Sequence, residues 1–318
     1  MYDVIAVGSS TVDTFIETDK KFFKGKKYSF PVGAKLLVDK LSITTGGSAT
    51  NTAVGFSRMG LKTGVISCIG IGNNSKRVIE ELQSEKVDTK LIERSAQQRT
   101  GYSVILDAAH RDRTIFAFKG SNNLLCNDCL SRKEVFRTKW MYFGSLMGES
   151  FKTMKKIVKE AKKKGIRIAF NPSLYLAKKG VGYLKSILGC CDVVILNKEE
   201  AQALCREKDV RRCLVKFNRL GVGVGVITDG GKTINAFDGV NFYQLEPHRV
   251  RIVETTGAGD AFGSGLVSAL AKGKKIEAAL KIGLVNSHSV IEHVGAKEKL
   301  LGWGEAFKRS KKLKVKVC

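Results

Sequence analysis

Proline is nearly absent from this chain, with 3 in 318 residues, and histidine is almost as scarce, with 4. A chain so poor in proline, with 27% charged and 43% apolar residues, is not a disordered polypeptide and has enough apolar side chains for a sizeable core. No apolar run approaches the roughly 18 residues that a membrane-spanning helix requires. The N-terminal MYDVIAVGSSTVD is a strand entering a polar turn, without the basic segment and long apolar stretch of a secretory leader. The expectation is a cytoplasmic protein with reduced thiols and no membrane partner. The 8 cysteines include one Cys-x-x-Cys pair, Cys126 and Cys129, and the adjacent Cys190 and Cys191. A structural zinc needs about four ligands. With no second pair and no histidine at matching spacing, most of these cysteines read as small buried hydrophobes.

Acidic residues are also in short supply, 30 Asp and Glu against 55 Lys and Arg, for a formal charge of +25. Such an excess suits nucleic acid, an acidic surface or the steering of an anionic substrate. The lysines are dispersed over amphipathic segments, as between Lys152 and Lys164, and no aromatic residues alternate with them to stack bases. No specific nucleic-acid partner is expected. Contact with DNA should be weak and should fade in a salt titration through counterion release. A basic nucleic-acid-associated protein stays as an alternative from a different class.

From residue 138 onward, strand patterns alternate with helix patterns. Trp140–Phe143, Ile166–Phe170, Val193–Leu196 and Gly225–Thr228 read as strands; Phe151–Lys164, Gly182–Leu188 and Arg212–Leu220 read as helices. That rhythm predicts a doubly wound, mostly parallel sheet covered on both faces, an α/β fold. Asp3–Gly8 and Gly64–Ile69 add strands to it, and helices start near Ser48 and Ser75. Early stretches break the alternation: Lys35–Val38 with Leu41–Thr44, and Thr100–Asp107 with Arg113–Lys119, the second pair joined by a polar turn at 109–112. They predict a small antiparallel sheet projecting as a lid, within about residues 14–45 and 98–120. With no repeat and no linker, one domain over 1–318 is expected. The basic tail from Lys308 to Lys316 reads as a solvated end.

Three segments carry chemistry. In Glu254-Thr255-Thr256-Gly257-Ala258-Gly259-Asp260, a strand-like stretch at Val250–Val253 precedes the glycines, and a helix pattern through Phe262, Leu266, Ala269 and Leu270 follows. Glycines at a helix N-terminus aim backbone N–H groups and the positive end of the dipole at one point, which suits a phosphoryl group in flight. An acid directly after them serves poorly in phosphate binding and well as a base toward an attacking hydroxyl. An ordinary first-turn aspartate is the plainer alternative. In Gly46-Gly47-Ser48-Ala49-Thr50-Asn51, the glycines let backbone approach a ligand, and Asn51 offers a donor and an acceptor to a hydroxyl. A plain loop-to-helix turn would look the same. In Asn197-Lys198-Glu199-Glu200, Asn197 and Glu200 could order Mg²⁺ through its waters. An acidic helix start fits that spacing as well.

Together, and in this order along essentially the whole chain, these segments resemble the ribokinase-like (PfkB) family of carbohydrate and nucleoside kinases. Gly46-Gly47 with Asn51 is similar to the family's first signature and Thr256-Gly257-Ala258-Gly259-Asp260 to its second. Asn197–Glu200 resembles its Asn-x-x-Glu motif, and Gly8–Asp13 resembles the opening strand. Arg113–Ile115 and Gly120–Asn123 are similar to the returning lid strand and the segment after it. The resemblance implies a doubly wound domain with a β-lid that moves the γ-phosphoryl of ATP to an alcohol of a sugar or nucleoside. It implies Asp260 as base and the N–H groups of Gly257, Ala258 and Gly259 as anion hole. Asp13, Gly46, Gly47 and Asn51 would bind the acceptor. ATP would meet Asn197, Thr228, Gly230, Thr256, Gly257, Gly259 and, on the helix beside the adenine, Asn286. Glu200 would organise Mg²⁺ through water.

Glu254 replaces the family's usual Asp beside a monovalent-cation loop, which leaves potassium activation open. Thr233 stands where Gly is common. Ser48-Ala49-Thr50 departs from ribokinases proper toward members acting on nucleosides or other sugars. A catalytically silent sugar or nucleoside sensor of the same fold is the other alternative, against which the intact glycine run with Asp260 speaks. A homodimer through the lid is a further expectation, since exposed sheets pair readily.

Overall fold

The computed structural model describes residues 1–17, 19–24, 27–38, 40–107 and 113–318, so the turn expected at 109–112 lies outside the described residues. Along the chain run β1 (Tyr2–Val7), β2 (Thr11–Glu17), β3 (Lys40–Gly46), α1 (Ser48–Arg58), β4 (Thr63–Ile66), α2 (Asn73–Ser84), β5 (Gly101–Asp107) and β6 (Arg113–Phe118). Then come β7 (Thr138–Phe143), α3 (Gly148–Lys163), β8 (Arg167–Phe170), α4 (Val181–Leu188), β9 (Val193–Asn197), α5 (Lys198–Cys205), α6 (Val210–Arg219) and β10 (Val224–Asp229). The last are β11 (Lys232–Phe237), β12 (Phe242–Leu245), α7 (Ala258–Ala271), α8 (Ile276–Ile291), α9 (Trp303–Ser310) and β13 (Val315–Val317).

Nine strands form one sheet in the order β13-β12-β11-β10-β9-β8-β7-β1-β4. From β4 to β10 every pairing is parallel; the last three strands add antiparallel. Alternation along the strands feeds two cores. Val4, Ala6, Trp140 and Tyr142 point to the layer of α1, α7 and α8, and Ile5, Val7, Met141 and Phe143 to the layer of α3 to α6. Burial on both faces is the signature of a doubly wound sheet. A separate four-stranded sheet, ordered β6-β5-β2-β3, stands beside it.

Several expectations change. Residues 35–38 form no strand, and all but Leu36 are exposed; the partner of β3 is β2, which carries no distinctive sequence pattern. The small sheet is mixed rather than antiparallel, because β2 and β5 run parallel. The stretch Gly64–Ile69 breaks into two strands, and Val250–Val253 lies in a loop that bends at Val253. The basic tail keeps its charged side chains in solvent but is folded: it closes α9 and then forms β13, whose Val317 pairs with Tyr243. The eight cysteines are free thiols, five of them buried.

Small residues seat α7. A Cβ on Gly55 of α1 would lie 2.3 Å from Ser264 Oγ, and one on Gly263 would lie 2.3 Å from Tyr142 Oη. Glycine inside a helix ordinarily costs about 1 kcal/mol relative to alanine. At position 263 close packing outweighs propensity. Gly263→Ala should therefore lower stability by about 1–3 kcal/mol in urea unfolding, the usual penalty of overpacking. Tyr142→Phe in the same chain should return part of that loss. A more stable Gly263→Ala variant would contradict this packing.

Candidate active site

The site lies at the carboxyl ends of the parallel strands, where open α/β sheets place their ligands. Helix α7 begins there on Gly257, at φ 79°. A Cβ on Gly257 would also fall 2.4 Å from the Ala296 carbonyl oxygen, so both conformation and space require glycine. The first intrahelical bond runs from Ala261 N–H to Gly257 O. The N–H groups of Gly259 and Asp260 make no backbone hydrogen bond among the described residues, and the space above Gly259 is open. Ala258, expected in the anion hole, instead donates to Thr255 O at 3.3 Å because the glycine run closes as a turn. Thr256 Oγ1 is buried without a partner among the described residues.

Residues of the Gly46–Asn51 segment meet this helix end. Asn51, in the second turn of α1 and 6% exposed, donates from Nδ2 to Asp260 Oδ2 at 2.8 Å. Its Oδ1 has no partner among the described residues. Gly47 holds φ 93°, and a Cβ on Gly46 would collide with Asp13 Oδ2. Asp13, 8% exposed on β2, accepts the Thr11 hydroxyl at 2.9 Å. Burial raises the Asp13 carboxyl above its ordinary range, against the pull of Ser103, Thr11 and the Lys297 ammonium.

Asp260 is the most informative group electrostatically. Burial pushes its carboxyl up to about 6, the Asn51 hydrogen bond and the Lys297 charge oppose the rise, and Asp13 adds to it. Glu200 is pushed up to about 7, again first by burial, with the Asn197 N–H opposing and the charges of Glu199 and Asp260 adding. Asn197 and Glu200 form a capping box: Asn197 Oδ1 accepts Glu200 N–H at 2.8 Å, and Glu200 Oε2 accepts Asn197 N–H at 2.9 Å. The plain helix-start alternative is therefore realised, yet the Glu200 carboxyl still senses Asp260. No group of three or more His, Cys, Asp and Glu able to hold a metal directly occurs among the described residues.

A cleft of about 360 Å³ lies beside the glycine run, walled by Thr228, Gly230, Val250, Ile252, Phe262 and Ile291. Its roof is the loop before α7, tied down by Val253 N–H to Ile291 O at 2.8 Å and by Gly295 N–H to Glu254 Oε2 at 3.1 Å. Asn286 does not reach this cleft. It is fully buried, its Nδ2 donating to Ala261 O at 2.7 Å and its Oδ1 accepting Leu301 N–H at 2.9 Å. Neighbouring Ser287 and His288 line the cleft instead. His288 packs edge-on against His248, and burial, then the neighbouring ring, brings its pKa down to about 4.

Lys297 joins the site without having been expected there. It is 6% exposed, and its ammonium grips the Thr45 carbonyl, Thr45 Oγ1 at 2.7 Å and Glu81 Oε1 at 3.0 Å. Burial lowers its pKa, while Glu81, Asp13 and Asp260 restore charge. It straps the turn that abuts Gly257 to the strand that ends in Gly46. Nothing in its residue type sets it apart from the other lysines of the chain.

Comparison with known proteins places the chain in a family and a fold. A family described as pfkB family carbohydrate kinase matches residues 1–301. An ATP-dependent 6-phosphofructokinase of Thermoanaerobacterium thermosaccharolyticum is 25% identical over 302 residues, 87% of this chain and 92% of that protein. A nucleoside kinase of Methanothermobacter thermautotrophicus is 24% identical over 96% of this chain and 95% of its own length. An E. coli protein described as a ribokinase II, solved with ATP and Mg²⁺, superposes with a TM-score of 0.84 at 18% identity, covering 98% of this chain and 99% of that one.

The Asp260 environment has a consequence for stability. The unfolded carboxyl releases its proton near 3.8, the folded one near 6. Its contribution to stability is thus full below about pH 4 and is lost as pH rises through about 6. Asp260→Asn should be more stable than the parent by about 1–3 kcal/mol at pH 8, and the gain should vanish near pH 4. Denaturant melts at the two pH values check this; equal stability at pH 8 would mean that the carboxylate is not strained.

Proposed function

We propose, for a chain that belongs to the pfkB family of carbohydrate kinases, that it moves the γ-phosphoryl group of ATP to an alcohol of a sugar or nucleoside with Asp260 as general base. The observation that carries this is the 2.8 Å Asn51–Asp260 hydrogen bond, which joins the acceptor loop to the carboxylate at a helix N-terminus. The acceptor would lie among Asp13, Gly46, Gly47 and Asn51, with Asn51 Oδ1 free for one of its hydroxyls. Relatives named as a 6-phosphofructokinase and a nucleoside kinase support an acceptor of this broad class.

Asp260 takes the hydroxyl proton as the oxygen attacks. The N–H groups of Gly257 and Gly259 stabilise charge on the transferred group, and Ala258 joins them when its long turn bond is given up. Thr228 and Gly230 flank the nucleotide. The residues fit Mg²⁺ only at second hand: Glu200 and Asn197 are spent on each other, so the ion would keep its waters and the ATP oxygens, with Glu200 beyond them. When bound, Mg²⁺ neutralises phosphate charge.

The smaller sheet acts as the lid on this reading. It carries Asp13 and leads into Gly46, and Ile115 lies on the same face as Asp13 through the Phe15–Ile105–Ile115 register, 47% exposed. Ile115→Ser should raise the acceptor KM about 3- to 10-fold, the loss of roughly 1 kcal/mol of apolar contact. The ATP KM should stay put; an unchanged acceptor KM sinks the lid role.

For the chemistry, ribose, fructose 6-phosphate, adenosine, cytidine and a keto-sugar acid offered with Mg-ATP and scored by ADP release identify the acceptor. On it, Asp260→Asn should lower kcat by about 10²- to 10⁴-fold with ATP affinity little changed. In the parent, kcat/KM should climb as pH passes through about 6 and then level off. Near-normal turnover in the folded variant would make Asp260 a structural first-turn acid.

A further inference from the structure

Lys119 stands outside every contact described so far. It follows β6 and opens the turn Gly120–Asn123. It is half-buried and makes no ion pair among the described residues. Its Nζ lies 5.5 Å from the centre of the Tyr175 ring. Burial pulls the ammonium below its ordinary pKa, and the one charge that works against this is Asp13.

The cleft that Lys119 lines is walled in part by Leu146 and Met147, and its other polar groups are neutral. Ser9, Asn123, Ser145 and Ser173 share it, and no Asp or Glu does. Ser145 Oγ accepts the Ser173 N–H, which leaves its hydroxyl proton to give away. Ser9, Ser145 and Ser173 follow β1, β7 and β8, at the ligand-binding end of the sheet. Ser9 Oγ also lies 3.3 Å from Ser48 Oγ, one residue beyond Gly47, so the cleft adjoins the acceptor loop. Its volume, about 20 Å³, is room for one water-sized group, the footprint of a single anionic oxygen. A lysine usually sends its ammonium to water. One half withdrawn from water, in no ion pair among the described residues and with only the Asp13 charge acting on it, is a site that an anion completes.

We propose that Lys119 recognises an anionic group on the acceptor, a phosphate monoester or a carboxylate carried by the same molecule that presents the reacting hydroxyl. This rests on the reading that Asp13, Gly47 and Asn51 hold the acceptor. Lys119 holds one oxygen of the anion, and Ser9, Ser145 and Asn123 supply neutral donors around it.

Matched pairs test the idea: ribose with ribose 5-phosphate, fructose with fructose 6-phosphate, and glucose with gluconate. They are offered with Mg-ATP to the parent, Lys119→Met and Lys119→Arg, scored by ADP release, with folding checked by circular dichroism. The expected result is an anionic member favoured at least tenfold in kcat/KM. Lys119→Met should erase that preference, a fall of about 10- to 100-fold for one charge-assisted hydrogen bond, and Lys119→Arg should keep part of it. The phosphate and carboxylate arms tell the two groups apart. A preferred neutral member, or a preference that survives in folded Lys119→Met, overturns the proposal while turnover itself leaves the kinase reading standing. If no compound is turned over, calorimetry with the same compounds decides. Anion binding that weakens in Lys119→Met sustains the proposal, and absent or equal binding overturns it. Silence of ADP release with Mg-ATP bound counts separately, against the kinase reading. Should Lys119→Met not fold, the parent's own preference, with Lys119→Gln as the variant, decides in the same way.

Discussion

A carboxylate closed in beside the N-terminus of a helix is the constraint on which the rest of the molecule hangs. The dipole of α7 favours an ionised Asp260 by at most about 2 kcal/mol even in a partly buried setting. Burial works the other way and is larger, since the carboxyl ends up near 6 rather than 3.8. The group therefore sits between a proton acceptor and a neutral acid near physiological pH, where a general base is most useful. Asn51 and Lys297 are what keep it from neutralising altogether, one by a hydrogen bond and the other by charge.

Much of the architecture can be understood as a means of holding that group in place. Close approach at Gly55 and Gly263 lets α7 sit tightly on α1 and on the buried ring of Tyr142, so the helix end has little freedom. Asn51 arrives from α1, the helix on which α7 rests. Asp13 and Gly46 arrive from neighbouring strands of the smaller sheet, paired as Asp13 with Thr44 and Thr11 with Gly46. Lys297 then links strand β3 to the turn under Gly257. The Asp13–Gly46 side and the N-terminus of α7 are joined by a hydrogen bond and a buried ammonium, not by adjacency in sequence.

What could be read from the sequence followed from how local the signal was. Alternating strand and helix periods are local, and from β7 to β10 the sheet agrees with them. The glycine run before Asp260 is also local, and it does open a helix. Pairing is not local: β2 lacked a distinctive pattern, residues 35–38 had an apolar one without a partner, and the tail joined the sheet edge by pairing with β12, distant from it in sequence. Asn286 illustrates the same limit at the site. An amide on the right helix could have faced the cleft or the core, and only the positions of Ala261 O and Leu301 N decide for the core. Asn197 and Glu200 carried two readings at one spacing, and the geometry shows the cap. Lys297 and Lys119 were hidden among 55 basic residues because burial, not residue type, is what sets them apart.

The central claim is the state of one carboxyl group, and it can be observed without any substrate. Carbonyl ¹³C NMR of the parent, with the Asp260 resonance assigned by its absence in Asp260→Asn, follows that group directly through a pH titration. The expected midpoint is near 6. A midpoint near 4, the value of an ordinary solvated aspartate, would contradict it.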